Sequence, residues 1–444
     1  MSDFNLIQST DFKIDELFLV SKFGKYDLQG MFEELNIYDS MLTPCTSGNI
    51  LIVDAIGLTE KLLFDGTEYL LVNINKGDGL FPIKRKFTIY SQTDRRNLTQ
   101  TSESYILKFS SEELLLSEQQ RVSQYYDGTY SDAIFSILRD YLKVSLRSVY
   151  NSIPSYGSNQ FIIPNLKPFD AINWCVKRSL DINHIPNFMF FENNEGYNLT
   201  TLNEVMQSEP LFNVNFSFKN FSGNDMKEEL LGARQMQVMT QFDFIKNTQS
   251  GVYSGSVIGF DPLTRKLETK NYTFDDLYQN SSHANPNPLI AKSVNKTGKS
   301  NYEMSKSKQL YYLDTNQRKA NAYVNENDPE SLQVQDNPQR YIFQRGAILQ
   351  NFVSQRLKLV LPGNFLITSG KTLYLDVPRR AFNADDADNY DISLKGKYAI
   401  LATRHIISYS KFETIIEVVT DSTEKPAYAA TAQQMNSLTD GYNK

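Results

Sequence analysis

The chain has 444 residues, of which 41% are hydrophobic and 22% charged, and its 45 basic and 51 acidic side chains give a formal charge of −6. That balance excludes global disorder, and the length exceeds what one core usually serves, so two to four domains are expected. Net acidity disfavours a grip on a phosphate backbone, two distant cysteines give no disulfide framework, and no apolar run approaches the ~18 residues of a membrane span.

In chain order, residues 1–116 read as mostly β. The abundance of Phe (28) and Tyr (26) supports strands. Candidate strands are Ile14–Val20, Met31–Tyr38, Asn49–Ala55, Glu68–Asn75, Ile83–Ser91 and Ser104–Phe109, with a short helix over Leu58–Phe64. In the fifth, Arg85, Phe87 and Ile89 alternate with Lys84, Lys86 and Thr88. Turn signals such as Lys76-Gly77-Asp78-Gly79 between short strands predict a barrel or sandwich. The N-terminus is polar, with no basic region ahead of an apolar run, so no leader is expected and folding in a cytoplasm is.

Residues 117–209 change character. Ser131 is a candidate cap for a helix with Ile134, Leu138 and Leu142 on one face. Pro168 suits the first turn of a second helix carrying Phe169, Ile172, Val176 and Leu180. Asn187–Phe191 and Gly196–Thr201 read as strands around a turn at Glu192-Asn193-Asn194-Glu195. Strand character resumes at Leu211–Phe218, Met236–Ile245, Gly251–Phe260 and Lys266–Phe274. Residues 280–338 are polar and read as long loops. Ile342, Gly346, Leu349, Val353 and Leu357 then recur at helical spacing. Strands follow at Lys371–Val377, Gly396–Leu401, Arg404–Tyr409 and Phe412–Asp421, and the tail 423–444 is small and polar.

Few residues suggest chemistry. The three histidines are His184 in a turn, His283 in a polar loop where solvation is expected, and His405 in a strand, where a structural role is expected. No nucleophile elbow, zinc helix or phosphate loop accompanies them. A glycosidase needs two carboxyls about 5–10 Å apart across a cleft. Glu33-Glu34, Glu112-Glu113 and Glu228-Glu229 have no such context and read as solvated faces. Asp385-Asp386-Ala387-Asp388 lacks the glycine and trailing glutamate of a calcium loop. Lys84-Arg85-Lys86 is split between two sheet faces and suits an outer wall or subunit contact better than nucleic acid. Cys45 and Cys175 read as buried apolar thiols.

Four runs carry a likeness: Tyr130-Ser131-Asp132-Ala133-Ile134, the stretch from Phe161-Ile162-Ile163-Pro164 through Pro168-Phe169-Asp170-Ala171-Ile172-Asn173-Trp174, the turn Leu361-Pro362-Gly363, and Gly396-Lys397-Tyr398 through Asp421. In that order they resemble the baseplate hub proteins of contractile-tailed, T-even-like phages, which are related to the N-terminal barrel part of type VI secretion spike carriers. The resemblance implies a mostly β chain with two tail-tube-like β-barrel domains and an α/β insert between them. Their bounds would be 1–116 for the first barrel, 117–209 for the insert and 210–422 for the second barrel. The second carries a polar insertion around 280–338, and 423–444 is a flexible tail. It further implies a homotrimer that adapts a sixfold tail tube protein to a trimeric spike protein on a separate chain, contacts other baseplate proteins, and lets DNA pass without sequence-specific binding. On this reading the chain is a structural component of the virion tail baseplate, assembled in the host cytoplasm. No catalytic, cofactor-binding or metal residue and no cofactor is expected. The competing expectations are a tail-tip peptidoglycan hydrolase and a host-surface-binding baseplate component.

Overall fold

The computed structural model describes residues 12–62, 64–76, 82–216, 232–262, 265–289, 308–313, 338–379 and 390–424. Its first body is a seven-stranded antiparallel sheet. The strands are β1 (Lys13–Ser21), β2 (Gly24–Asp27), β3 (Phe32–Ser40), β4 (Ser47–Asp54), β5 (Tyr69–Asn75), β6 (Ile83–Asn97) and β7 (Glu103–Ser110). They lie in the order β3-β4-β7-β6-β5-β1-β2. Period-two patterning explains how the sheet rolls up: Leu17 and Leu19, Ile50 and Ile52, Leu70 and Val72, and Leu107 and Phe109 all point into one core. Close approach of β3 to β4 requires a glycine. A Cβ on Gly48 would lie 2.3 Å from the Asn36 carbonyl oxygen and 2.4 Å from the Phe109 ring. All six expected strands are present, β2 is added, and the short helix covers Leu58–Lys61. β6 runs past Ser91 to Asn97 because its hairpin with β7 continues through two register shifts. Residues 77–79 of the predicted turn lie outside the described residues.

The α/β part contains β8 (Tyr125–Gly128), β9 (Val149–Ser152), β10 (Asn159–Ile162), β11 (Phe188–Asn193) and β12 (Gly196–Thr201). Two helices, Tyr130–Asp140 and Pro168–Arg178, enclose a core of Ile134, Ile137, Leu138, Ala171 and Ile172. Pro168 occupies the first turn as expected, because its missing N–H has no intrahelical acceptor there. The cap of the first helix is Thr129, not Ser131. Thr129 and Asp132 form a reciprocal capping box, and Ser131 instead sits buried in the first turn, bonded to Ser155.

The second β part comprises β13 (Asn213–Phe216), β14 (Gly232–Ala233), β15 (Gln235–Thr240), β16 (Ser254–Asp261), β17 (Lys266–Thr273), β18 (Asn287–Pro288), β19 (Gln309–Leu313), β20 (Gln355–Pro362), β21 (Thr372–Asp376), β22 (Gly396–Ser408), β23 (Lys411–Thr420) and β24 (Ser422–Thr423). Six of its steps close on themselves. β13 pairs with β21, β21 with β22, β22 with β23, β23 with β20, and β20 with β15. β15 runs back through Arg234, whose N–H donates to Val360 O at 2.8 Å, into β14, which pairs with β13. Leu357, Leu359, Leu361, Leu373, Leu375, Ile416 and Val418 fill this barrel.

Three sequence expectations change here. The helix predicted as far as Leu357 ends at Phe352. Leu357, Leu359 and Leu361 alternate inward on β20, so the two-residue period and the pairing with β23 override the helical one. Met236–Ile245 is not one strand, because Asp243 caps a helix over Phe244–Ser250 by accepting from Lys246 N at 2.8 Å. Gly396–Leu401 and Arg404–Tyr409 merge into the 13-residue β22. Within the polar 280–338 stretch, β18 and β19 are described, whereas 290–307 and 314–337 lie outside the described residues, as does the tail from 425 onward.

Candidate functional site

One strand builds the junction between the two β parts. Along a single edge of β22, Gly396–Ala399 pair with β21 of the second barrel, and Ala402–Ser408 pair with Ser40–Glu34 of β3 in the first sheet. The β22–β23 hairpin tip then drives Ile407 and Phe412 into the first core, where Phe412 packs 4.5 Å from Phe365, measured between ring centroids. Arg404 crosses the seam from β22 and donates from Nε to Asn36 Oδ1 at 2.9 Å. Asp39, at the far end of β3, is fully buried and accepts from Ser369 N at 2.8 Å and Thr368 Oγ1 at 3.1 Å. Burial pushes its carboxyl above the usual range, and these hydrogen bonds oppose the shift. Side chains fill the interiors of both β parts.

A buried ion pair joins the α/β part to the first sheet. Arg85 on β6 approaches Glu192 on β11 at 2.9 Å, and Glu192 also accepts from Thr46 N at 2.8 Å and Ser111 Oγ at 2.5 Å. Three first-sheet donors thus converge on one carboxylate that is 3% exposed. Sequence reasoning assigned Glu192 to a hairpin turn and missed it. β11 continues through it to Asn193, and an acidic residue directly after Phe190-Phe191 in a strand was the available signal.

The expected site residues scatter over the molecule. Lys84-Arg85-Lys86 does split between faces: Arg85 turns inward to Glu192, and Lys86 lies 3.8 Å over the Tyr69 ring and pairs with Glu112 at 3.1 Å. Glu112-Glu113 is not uniformly solvated, since Glu113 is partly buried and its pKa is raised by burial first and nearby Glu192 second. Glu33 is exposed, while Glu34 accepts from Asn36 Nδ2 at 2.7 Å. Glu228-Glu229 and Asp385–Asp388 lie outside the described residues. Cys45 and Cys175 are free, share the α/β core, and have thiols pushed by burial up to about 12. Among the described residues no three His, Cys, Asp or Glu side chains gather to hold a metal.

Each histidine has a distinct environment. His184 is an exposed turn residue with φ 62°, edge-on to Tyr156. His283 is not solvated: its Nδ1 lies 2.6 Å from Asp421 Oδ2, its Nε2 lies 2.8 Å from the Tyr278 carbonyl oxygen, and its ring stacks on Tyr278 at 3.5 Å. Two acceptors facing two ring nitrogens call for the doubly protonated imidazolium. Burial opposes that charge, but the Asp421 hydrogen bond and attraction outweigh it and raise the pKa. His405 on β22 is fully buried, with Nδ1 3.0 Å from Thr414 Oγ1 and no partner for Nε2. Burial lowers its pKa to about 3.

No family model matches the chain. Over 405 residues it is 20% identical to a probable baseplate hub protein of Vibrio phage KVP40, covering 89% of this chain and 91% of that protein. The 43 kDa tail protein of prophage MuSo2 from Shewanella oneidensis superposes with a TM-score of 0.53 at 7% identity, over 92% of this chain and 99% of that one. The fold is that of phage tail proteins. A tail protein from Neisseria meningitidis MC58 agrees, with a TM-score of 0.50 at 10% identity over 93% and 97% of the two chains. The resemblance to baseplate hubs read from the sequence therefore holds, and so does the mostly β class.

Proposed function

We propose that this chain is a structural hub of a phage tail baseplate. Three copies would form a ring that adapts the sixfold tail tube to a threefold spike and lets DNA pass during ejection. The observation that carries the reading is the shared strand β22, which holds two β modules in one fixed relation. Three such chains set six modules around an axis with true threefold symmetry, and closed rotational contacts satisfy every copy alike. Residues 1–116 and 210–422 would be the two tube-like domains, 117–209 the insert and 423–444 the tail. On this reading the conduit would run between chains, which the filled interiors of both β parts support. The small sheet β17-β16-β19 supports assembly: Leu267, Tyr311 and Leu313 on its outer strands are 66–71% exposed, a poor surface for a lone monomer.

The role is non-catalytic and located in the virion. Glu192, the buried carboxylate with the most donors at the junction, has both oxygens occupied by protein donors. Light scattering on the purified chain is expected to give the mass of three copies, and electron microscopy a threefold ring of six β modules. A monomer at working concentration refutes the reading. Peptidoglycan incubated with the protein is expected to release no more sugar than the blank, and release above it would favour the hydrolase.

A further inference from the structure

A cavity of about 290 Å³ opens where three parts of the chain meet. The β3–β4 turn brings Leu42 and Pro44 to its edge. The Pro168–Arg178 helix contributes Phe169, Asn173 and Val176, spaced four and three apart and so on one face. Arg345 and Leu349, one turn apart on the Gln344–Phe352 helix, close the far wall. The hub reading gives this space no role, although Phe169, Asp170 and Asn173 belong to one of the runs that carry the likeness.

Its unusual member is Arg345. Nη1 donates to the carbonyl oxygens of Pro186 at 3.2 Å and Phe188 at 2.8 Å, which fixes the plane of the guanidinium. Among the described residues Nε and Nη2 have no protein acceptor and Arg345 makes no ion pair. Its enclosure alone lowers the pKa to about 10. Asp170 and Lys177 also line the space, so two cations face one carboxylate and the cavity carries net positive charge. A fixed guanidinium with free donors in an apolar wall matches the paired oxygens of a carboxylate.

We propose that the cavity receives a segment of another protein, which places a carboxylate side chain against Arg345 and an adjacent apolar side chain between Phe169, Val176 and Leu349. The rim argues for a protein rather than a small molecule. Leu42 is 63% exposed beside the opening, so apolar surface extends beyond what an occupant of the hole alone would cover. An apolar centre with Asp170, Asn173 and Lys177 around it has the layout of a protein–protein anchor site. The proposal goes beyond the hub reading and holds or fails on the cavity alone.

Two of the chain's ten methionines, Met41 and Met189, line the cavity and supply the reporters. The full chain, labelled with 13C at the methionine methyls, is titrated with acetyl-leucyl-phenylalanyl-glutamate amide and with its glutamine counterpart. The expected result is a saturable shift of the Met41 and Met189 methyls, with the glutamate peptide binding about tenfold tighter than the glutamine peptide. Arg345→Gln is expected to erase that preference, and Asn173→Trp, an exposed helix position that fills the space and leaves Arg345 in place, to abolish binding. The second variant keeps the test intact should the first fail to fold. Equal binding of the two peptides overturns the proposal, as does no saturable shift up to about 20 mM. Tighter binding of 3-phenylpropionate than of the glutamate peptide also overturns it, in favour of a small carboxylate ligand.

Discussion

His405→Leu is expected to reverse the order of stability between neutral and acidic pH. Folded His405 is fully buried and its pKa is about 3, whereas an unfolded histidine titrates near ~6.5. The unfolded chain therefore binds the proton first, and acid favours unfolding at this residue. Its contribution is fully present above about pH 6.5 and is lost progressively as pH falls toward the folded pKa. At about pH 5 the loss is roughly one and a half pH intervals of ~1.4 kcal/mol each, or about 2 kcal/mol. Leucine lacks the proton site but gives up the hydrogen bond to Thr414 Oγ1, worth about 1 kcal/mol. The variant should thus be less stable by about 1 kcal/mol near pH 7.5 and more stable by about 1 kcal/mol near pH 5. Urea unfolding of both chains at the two pH values and one chain concentration measures this, and all other titrations cancel in the difference. Parallel loss of stability in the two chains would refute the claim that His405 stays neutral in the folded protein.

Glu192→Gln keeps the side chain's shape but removes the charge facing Arg85, so a loss of about 3 kcal/mol is expected from the urea midpoint, and a change under about 1 kcal/mol would show that the junction does not depend on the pair. For His283 the sign is opposite to that of His405. Its raised pKa makes the Asp421–Tyr278 clasp fully present below the unfolded value and weaker as pH rises through the folded one. Hydrogen exchange across 282–289, corrected for intrinsic rates, should accelerate as pH rises above the ordinary histidine value of about 6.5 in the parent and not in His283→Gln. Gly48→Ala forces a Cβ to 2.3 Å from a backbone oxygen that a side-chain rotation cannot clear, so thermal unfolding should show a loss of about 3 kcal/mol or no folded protein.

Local patterning specified six of the seven strands of the first sheet, the two helices of the α/β part and the closing hairpin. Each is written in residues a few positions apart: Leu17 and Leu19 with a period of two, or Pro168 ahead of Phe169, Ile172 and Val176 with a helical one. The sequence also carried enough ordered likeness to point to tail hubs. It did not determine which edges meet. β22 joins β3 through Arg404 and Asn36, 368 positions apart, and both candidate edges have the same alternation. Leu357 shows the same limit, because its spacing fits a helix until pairing with Val418 on β23 makes it strand. Charged residues followed suit. Glu192 and Arg345 are ordinary surface types in the sequence, and only the arrival of distant donors around one, and of an apolar wall around the other, gave them their roles. Local periodicity chooses between helix and strand, whereas edge pairing and the burial of charge depend on which distant surfaces exclude water together, and that is a property of the assembled fold.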